Sequence, residues 1–162
     1  MKKVNIKQVD AFTSIPFGGN PAGVVLDAAS LGDDEKLKIA REMNLSETAF
    51  VSPSEVADFK VQFFTPKFEV DLCGHATIGT FSSLFEDGKL DLSKNKFFQE
   101  TKAGVLPVEL VDIDGEKVFM MTQTTPKFEA FDMPKSEVAK LLGLSEEDLL
   151  DVPAMKTSTG LW

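Results

Sequence analysis

The segment Cys73-Gly74-His75-Ala76-Thr77-Ile78-Gly79-Thr80-Phe81-Ser82-Ser83-Leu84-Phe85 carries no charged residue when His75 is neutral. No other stretch restricts the fold of this chain as much. Read as a helix it starts near Cys73, runs to Glu86 and stops at Asp87-Gly88. Its length is about three and a half turns. A helix on a protein surface keeps a charged stripe toward water, so this one is predicted to be enclosed by protein on most sides. Ala76, Gly79, Ser82 and Ser83 are small and let neighbouring backbone approach closely. A sheet curled around the helix satisfies both conditions.

The flanking sequence supplies such a sheet. Lys3 to Phe12 alternates loosely and reads as a strand, followed by a turn over Ser14-Ile15-Pro16-Phe17-Gly18-Gly19-Asn20-Pro21. Ala22 to Leu26 reads as a more buried strand. Asp33 or Asp34 is the expected cap of a helix through about Asn44, with Leu37, Ile39 and Ala40 on its apolar face. Glu47 to Val51 and Asp58 to Phe64 read as paired strands. Gly104 to Val111 and Lys117 to Thr122 are β-rich, and Asp114-Gly115 between them signals a hairpin. Pro134 starts another helix, with Val138, Leu141 and Leu142 spaced for one face, and Ser145 is positioned to cap a short helix from Glu146 to Leu150. The expected class is α+β, mostly antiparallel, in one folded unit.

Composition excludes several kinds of chemistry. Among 162 residues there are one cysteine, one histidine and no tyrosine. An internal disulfide, a cysteine-rich zinc site and a two-histidine metal site within one chain are therefore ruled out. A net charge of −9 argues against nucleic acid and anionic membranes as partners. The basic start lacks the apolar stretch of a secretion signal, and no apolar run reaches membrane-spanning length. A cytoplasmic location is the expectation.

Chemistry is expected at the start of the uncharged helix. Free backbone N–H groups and the helix dipole favour a carboxylate or phosphate there. Gly74 lets a ligand approach the backbone, His75 is a donor or proton carrier, and Cys73 is expected to have a depressed pKa. The alternative is a cysteine packed as a small apolar residue and a histidine satisfied by a backbone carbonyl. Glu47 is either an edge charge facing water or an inward carboxyl suited to general acid–base work. Asp71 is a competing carboxylate. A metal held by Asp71, Cys73 and His75 is not expected, because alternating residues at a helix start diverge, and no metal or other cofactor is assigned. Gly18-Gly19-Asn20-Pro21 lacks the spacing of the common phosphate-binding loops and reads as a plain turn.

Taken together, Val-Asp-Ala-Phe-Thr at 9–13, Gly-Asn-Pro-Ala-Gly-Val at 19–24, Met-Asn-Leu-Ser-Glu-Thr-Ala-Phe-Val at 43–51, Phe-Phe-Thr-Pro at 63–66 and Asp-Leu-Cys-Gly-His-Ala-Thr-Ile-Gly at 71–79 resemble the phenazine-biosynthesis PhzF-like family. The resemblance covers essentially the whole chain. It implies the diaminopimelate epimerase-like fold, in which each of two lobes wraps an antiparallel barrel-like sheet around a central helix, with the active site between the lobes. It further implies that Glu47 is the acid–base residue and that His75 binds substrate. Gly19, Asn20 and Pro21 form a substrate-contacting turn, and Cys73, Gly74, Ala76 and Thr77 belong with His75 to the helix end that anchors a carboxylate. In related epimerases a cysteine near the Cys73 position is one of two catalytic thiols. With a single cysteine, this chain cannot run a two-thiol racemisation within one copy.

The activity implied is a cofactor-independent isomerisation of a small carboxylate-bearing molecule, in which Glu47 moves a proton. The alternative is an inert remnant, or a lobe that only binds carboxylates. Residues 1–162 correspond to one N-terminal lobe, with 152–162 as the start of a crossover to a second. A shortened gene product, an excised fragment and a single lobe that forms a homodimer all answer to that length.

Overall fold

Strand pairing in the computed structural model, which describes residues 3–159, begins with a hairpin of β1 (Lys7–Ala11) and β2 (Asn20–Val25). Then come α1 (Asp33–Met43), β3 (Thr48–Ser52), β4 (Phe59–Phe64), the short β5 (Glu69–Val70) and α2 (Gly74–Glu86). Three longer strands follow, β6 (Lys96–Thr101), β7 (Gly104–Ile113) and β8 (Glu116–Met121). The sheet order is β1-β2-β3-β4-β6-β7-β8, with β5 also paired to β4. The β2–β3 and β4–β6 pairs are parallel and the others antiparallel. Helix α2 packs on β1, β2, β3 and β8, so it meets both edge strands, and the sheet curls around it as the absence of charge requires.

The middle strands are apolar on both faces because protein covers both. Inside the curl, Ala22, Ala49, Val61 and Phe63 pack with Leu72, Cys73 and Ala76. Outside it, Val25, Phe50 and Phe64 pack with Leu31 and Ala40, where α1 lies on the sheet. Consecutive residues Phe63 and Phe64 thus serve opposite layers, as strand alternation dictates. Farther along α2, Phe81 and Leu84 join Leu90, Phe97 and Val108, and the Phe81 ring lies 5.9–6.2 Å from the rings of Phe59, Phe97 and Phe119. Clusters of this kind, rather than helix propensity, hold α2 in place.

Local signals set most boundaries, with instructive exceptions. The β7–β8 turn is Asp114-Gly115, both at positive φ, as expected for a two-residue hairpin. Helix α1 is capped by Gly32 rather than Asp33 or Asp34; Glu35 Oε2 accepts a hydrogen bond from the Gly32 N–H, and the two aspartates lie in the first turn. Glu47 sits just ahead of β3 instead of opening it. Strands β5 and β6 are not apparent from the sequence. The first has two residues, and the second, Lys-Phe-Phe-Gln-Glu-Thr, mixes buried and exposed positions amid charge.

A second compact unit begins at Thr124. It comprises β9 (Lys127–Ala130), α3 (Lys135–Leu142), a 3-10 turn (Glu146–Asp148) and β10 (Met155–Ser158), with β9 and β10 antiparallel. The helix expected from Pro134 is present, but its face is not the expected one. Ala139 is buried and Val138 half-buried, whereas Leu141 and Leu142 are 74% and 61% exposed. A unit this small has too little interior to cover a full apolar stripe. The helix expected from Glu146 to Leu150 is shortened to the 3-10 turn, with Asp148 accepting from the Ser145 N–H. The crossover expected at 152–162 includes β10; residues 160–162 lie outside the described residues.

Candidate active site

Helix α2 begins at the end of the curl where the apolar lining gives way to polar groups. Cys73, in extended backbone conformation, is its N-cap residue. Glu47 arrives just ahead of the facing strand, β3. Ala49, two residues on, packs with Cys73 and Ala76, so alternation turns Glu47 to the inner face as well. The inward alternative for Glu47 is therefore the observed one: its side chain is 17% exposed, and Oε2 lies 3.4 Å from Nε2 of His75. The backbone fixes this approach, since the Gly23 N–H of β2 donates to the Glu47 carbonyl.

His75 occupies the middle of the cluster. Its Nδ1 is 3.3 Å from the Cys73 sulfur, and its Nε2 is 3.3 Å from Ser46 Oγ as well as near Glu47. Histidine and cysteine are each more than nine-tenths buried. The expectation that side chains at 73 and 75 diverge is thus incorrect. Cys73 precedes the first helical residue, and with its extended backbone the sulfur comes within 3.3 Å of Nδ1. Glu47, Cys73 and His75 bring one ligand atom each within 4.8 Å of one another. The shortest contacts nevertheless use opposite ring nitrogens, the sulfur at Nδ1 and the carboxyl at Nε2. As placed, the three residues suit a chain of hydrogen bonds better than tetrahedral coordination.

The expected depression of the Cys73 pKa is reversed. Burial pushes the thiol up to about 12; the amides of Ala76 and His75 pull it down, and the neighbouring Glu47 charge pushes it higher. A helix N-terminus lowers a thiol pKa where water also solvates the anion, and here desolvation wins. Cys73 is a neutral thiol at ordinary pH.

The remaining expected residues divide. Gly74 is half-exposed, and a side chain there would meet only the Gln123 amide nitrogen, at 3.7 Å, so the first amides of α2 are open to a ligand. Thr77 is turned away: its N–H closes the first helical turn on Cys73 O, and its hydroxyl donates 2.7 Å to the same oxygen beside the buried Gln99. Ala76 offers its amide, because its methyl group is part of the inner cluster. Asp71 lies outside the group, half-exposed and 3.7 Å from Lys102. Gly19, Asn20 and Pro21 lead into Ala22, which packs in the same cluster as Cys73. A side chain at Gly19 would strike Ala11 O at 2.3 Å, which accounts for glycine there. Sequence reasoning misses Ser46 and Gln123. Ser46 adjoins Glu47 in the chain, a signal that could have found it, whereas nothing local points to Gln123.

Similarity to known proteins bears on the family and the fold. The family model described as phenazine biosynthesis-like protein, PhzC-PhzF, matches residues 9–162. The chain is 41% identical over 163 residues to the uncharacterized isomerase YfhB of Bacillus subtilis, covering all of this chain and 55% of that protein. It is 38% identical over 138 residues to the trans-2,3-dihydro-3-hydroxyanthranilate isomerase of Pseudomonas aeruginosa, covering 84% of this chain and 48% of the relative. A crystal structure of a Bacillus anthracis PhzF-family phenazine biosynthesis protein superposes with a TM-score of 0.88 at 45% identity, over 100% of this chain and 55% of that one. A hydroxyproline epimerase from Agrobacterium vitis shares the fold alone, with a TM-score of 0.57 at 14% identity over 79% of this chain and 43% of that one. The chain spans about half the length of the curated relatives it matches. By family model, identity and fold alike, the chain belongs to the phenazine biosynthesis-like PhzC-PhzF family.

Proposed function

We propose that this chain forms one lobe's share of an isomerase site that moves a proton within a small carboxylate-bearing molecule, with Glu47 as the base. The observation that supports this most is the inward Glu47 beside His75, at the start of an uncharged, enclosed helix. Glu47 takes a carbon-bound proton, and the electron pair of that C–H bond moves to form a new double bond. The old double bond shifts, and the proton returns to another carbon. Atoms and electrons balance within the substrate, so the step needs no cofactor. The amides of Gly74, His75 and Ala76 hold the substrate carboxylate; those of His75 and Ala76 point at the thiol sulfur, a weak acceptor that a carboxylate displaces. Gly19, Asn20 and Pro21 border the substrate on the β2 side, and Thr77 supports the helix start from within. The name of the P. aeruginosa relative supports a substrate among unsaturated hydroxy- and amino-carboxylic acids.

The second half of the site comes from a second lobe, carried by further polypeptide or by another copy of this chain as a homodimer. The share of the relatives' length that is matched favours this, as does an exposed apolar loop with Phe12, Ile15 and Phe17. The open position at Gly74 also suits one competing reading, a lobe that binds carboxylates without turnover. Solvent exchange of a carbon-bound deuteron in a candidate substrate separates them. Exchange by the native chain that Glu47→Gln abolishes, with carboxylate binding retained, supports the isomerase. Binding without exchange supports the inert lobe, and undiminished exchange in Glu47→Gln refutes the role of Glu47.

A further inference from the structure

We propose that Cys73 is a positioning residue whose thiol donates a hydrogen bond to Nδ1 of His75, holds the imidazole in its Nε2–H form and so aims that hydrogen at Glu47. Three distances carry it. Sulfur and Nδ1 are 3.3 Å apart, and on the far side of the ring Nε2 lies 3.4 Å from Glu47 Oε2 and 3.3 Å from Ser46 Oγ. A neutral thiol has one hydrogen to give; the Glu47 carboxyl also acts on the thiol, but Nδ1 at 3.3 Å is the acceptor within direct hydrogen-bond distance of the sulfur. The opposite tautomer would set the bare lone pair of Nε2 against the oxygens of Glu47 while Nδ1–H pointed at sulfur, a weak acceptor. Burial of both Cys73 and His75 removes water as a substitute partner at Nδ1.

The consequence builds on the assignment of Glu47 as base. A ring hydrogen bound at Oε2 leaves Oε1 free for the substrate proton and keeps the carboxyl group in one orientation. The cysteine at this helix start thereby serves proton transfer without itself carrying the proton, a role distinct from that of a racemase thiol. Ser46 Oγ, 3.3 Å from Nε2, is a second oxygen on the same side of the ring.

The chain has one histidine, so a long-range proton–nitrogen correlation spectrum reports His75 without ambiguity. In the neutral ring, Nδ1 is expected to resonate as an unprotonated nitrogen that accepts a hydrogen bond. Cys73→Ala should move that resonance toward the position of an unbonded ring nitrogen, and Cys73→Ser, which restores a donor, should move it back. A protonated Nδ1 in the native chain overturns the proposal, and so does a resonance indifferent to Cys73→Ala. The native spectrum decides the tautomer even if the alanine variant does not fold. Because the readout needs no turnover, failure here is distinguishable from failure of Glu47 as the base.

Discussion

Titrating Cys73 tests the electrostatics of the site directly. The lone cysteine and the lack of tyrosine make the ultraviolet absorbance of the thiolate a clean signal in this chain. An ordinary thiol here would ionise near 9.0, whereas burial, reinforced by the Glu47 charge against the opposing helix amides, holds Cys73 at about 12. At about pH 8 the folded chain should therefore carry roughly 10³-fold less thiolate than the urea-unfolded chain and react with iodoacetamide more slowly by at least that factor. The linkage sign follows. The folded pKa is raised, so the stabilisation is fully present below about pH 9 and is lost as pH rises toward about 12. The whole window is worth about 4 kcal/mol, and about half of it should be gone midway, near pH 10.5. Lysines titrate in the same range, so the comparison is with Cys73→Ala, whose stability should fall less steeply between these pH values. Glu47→Gln should lower the thiol pKa while leaving it above 9.0, since burial is the larger cause. A native inflection near 9.0, or identical alkaline slopes for the native chain and Cys73→Ala, would refute the reasoning.

Thr77→Val removes the hydroxyl that caps Cys73 O and faces Gln99, leaving a buried amide short of a partner; the expected loss is about 1–3 kcal/mol in denaturant titrations, with Thr77→Ser close to native. Two glycines should respond oppositely to alanine. At Gly79 the new methyl meets Val9 at an ordinary 3.5 Å, and helix propensity should add about 0.5–1 kcal/mol. At Gly23 it would lie 2.7 Å from Thr48 Oγ1 and 2.9 Å from its Cγ2, so a loss of about 1–3 kcal/mol is expected. Thermal melts of both variants check the pair, and destabilisation by Gly79→Ala would contradict the packing of α2 on β1.

Local chemistry wrote much of this molecule into its sequence. The uncharged run at 73–85 required enclosure, Asp114-Gly115 required a hairpin, and the Glu47 and Cys73-Gly74-His75 segments are candidates whose roles come from the family resemblance. What they do together depends on distances that no local rule supplies. Whether Glu47 faced water or the interior hinged on the phase of β3 against α2, which the packing of Ala49 on Cys73 and Ala76 decides. The direction of the Cys73 pKa shift escapes a local reading because the helix terminus is visible in the sequence and the depth of burial is not. Composition and periodicity act over one or two turns of chain, and so they determined the elements, the enclosed helix and the residue types at its start. Desolvation and hydrogen-bond geometry act between segments 26 and 28 positions apart, Glu47 with Cys73 and His75. Only the curl of the sheet brings those segments together, and it is there that a cysteine, a histidine and a glutamate become one site.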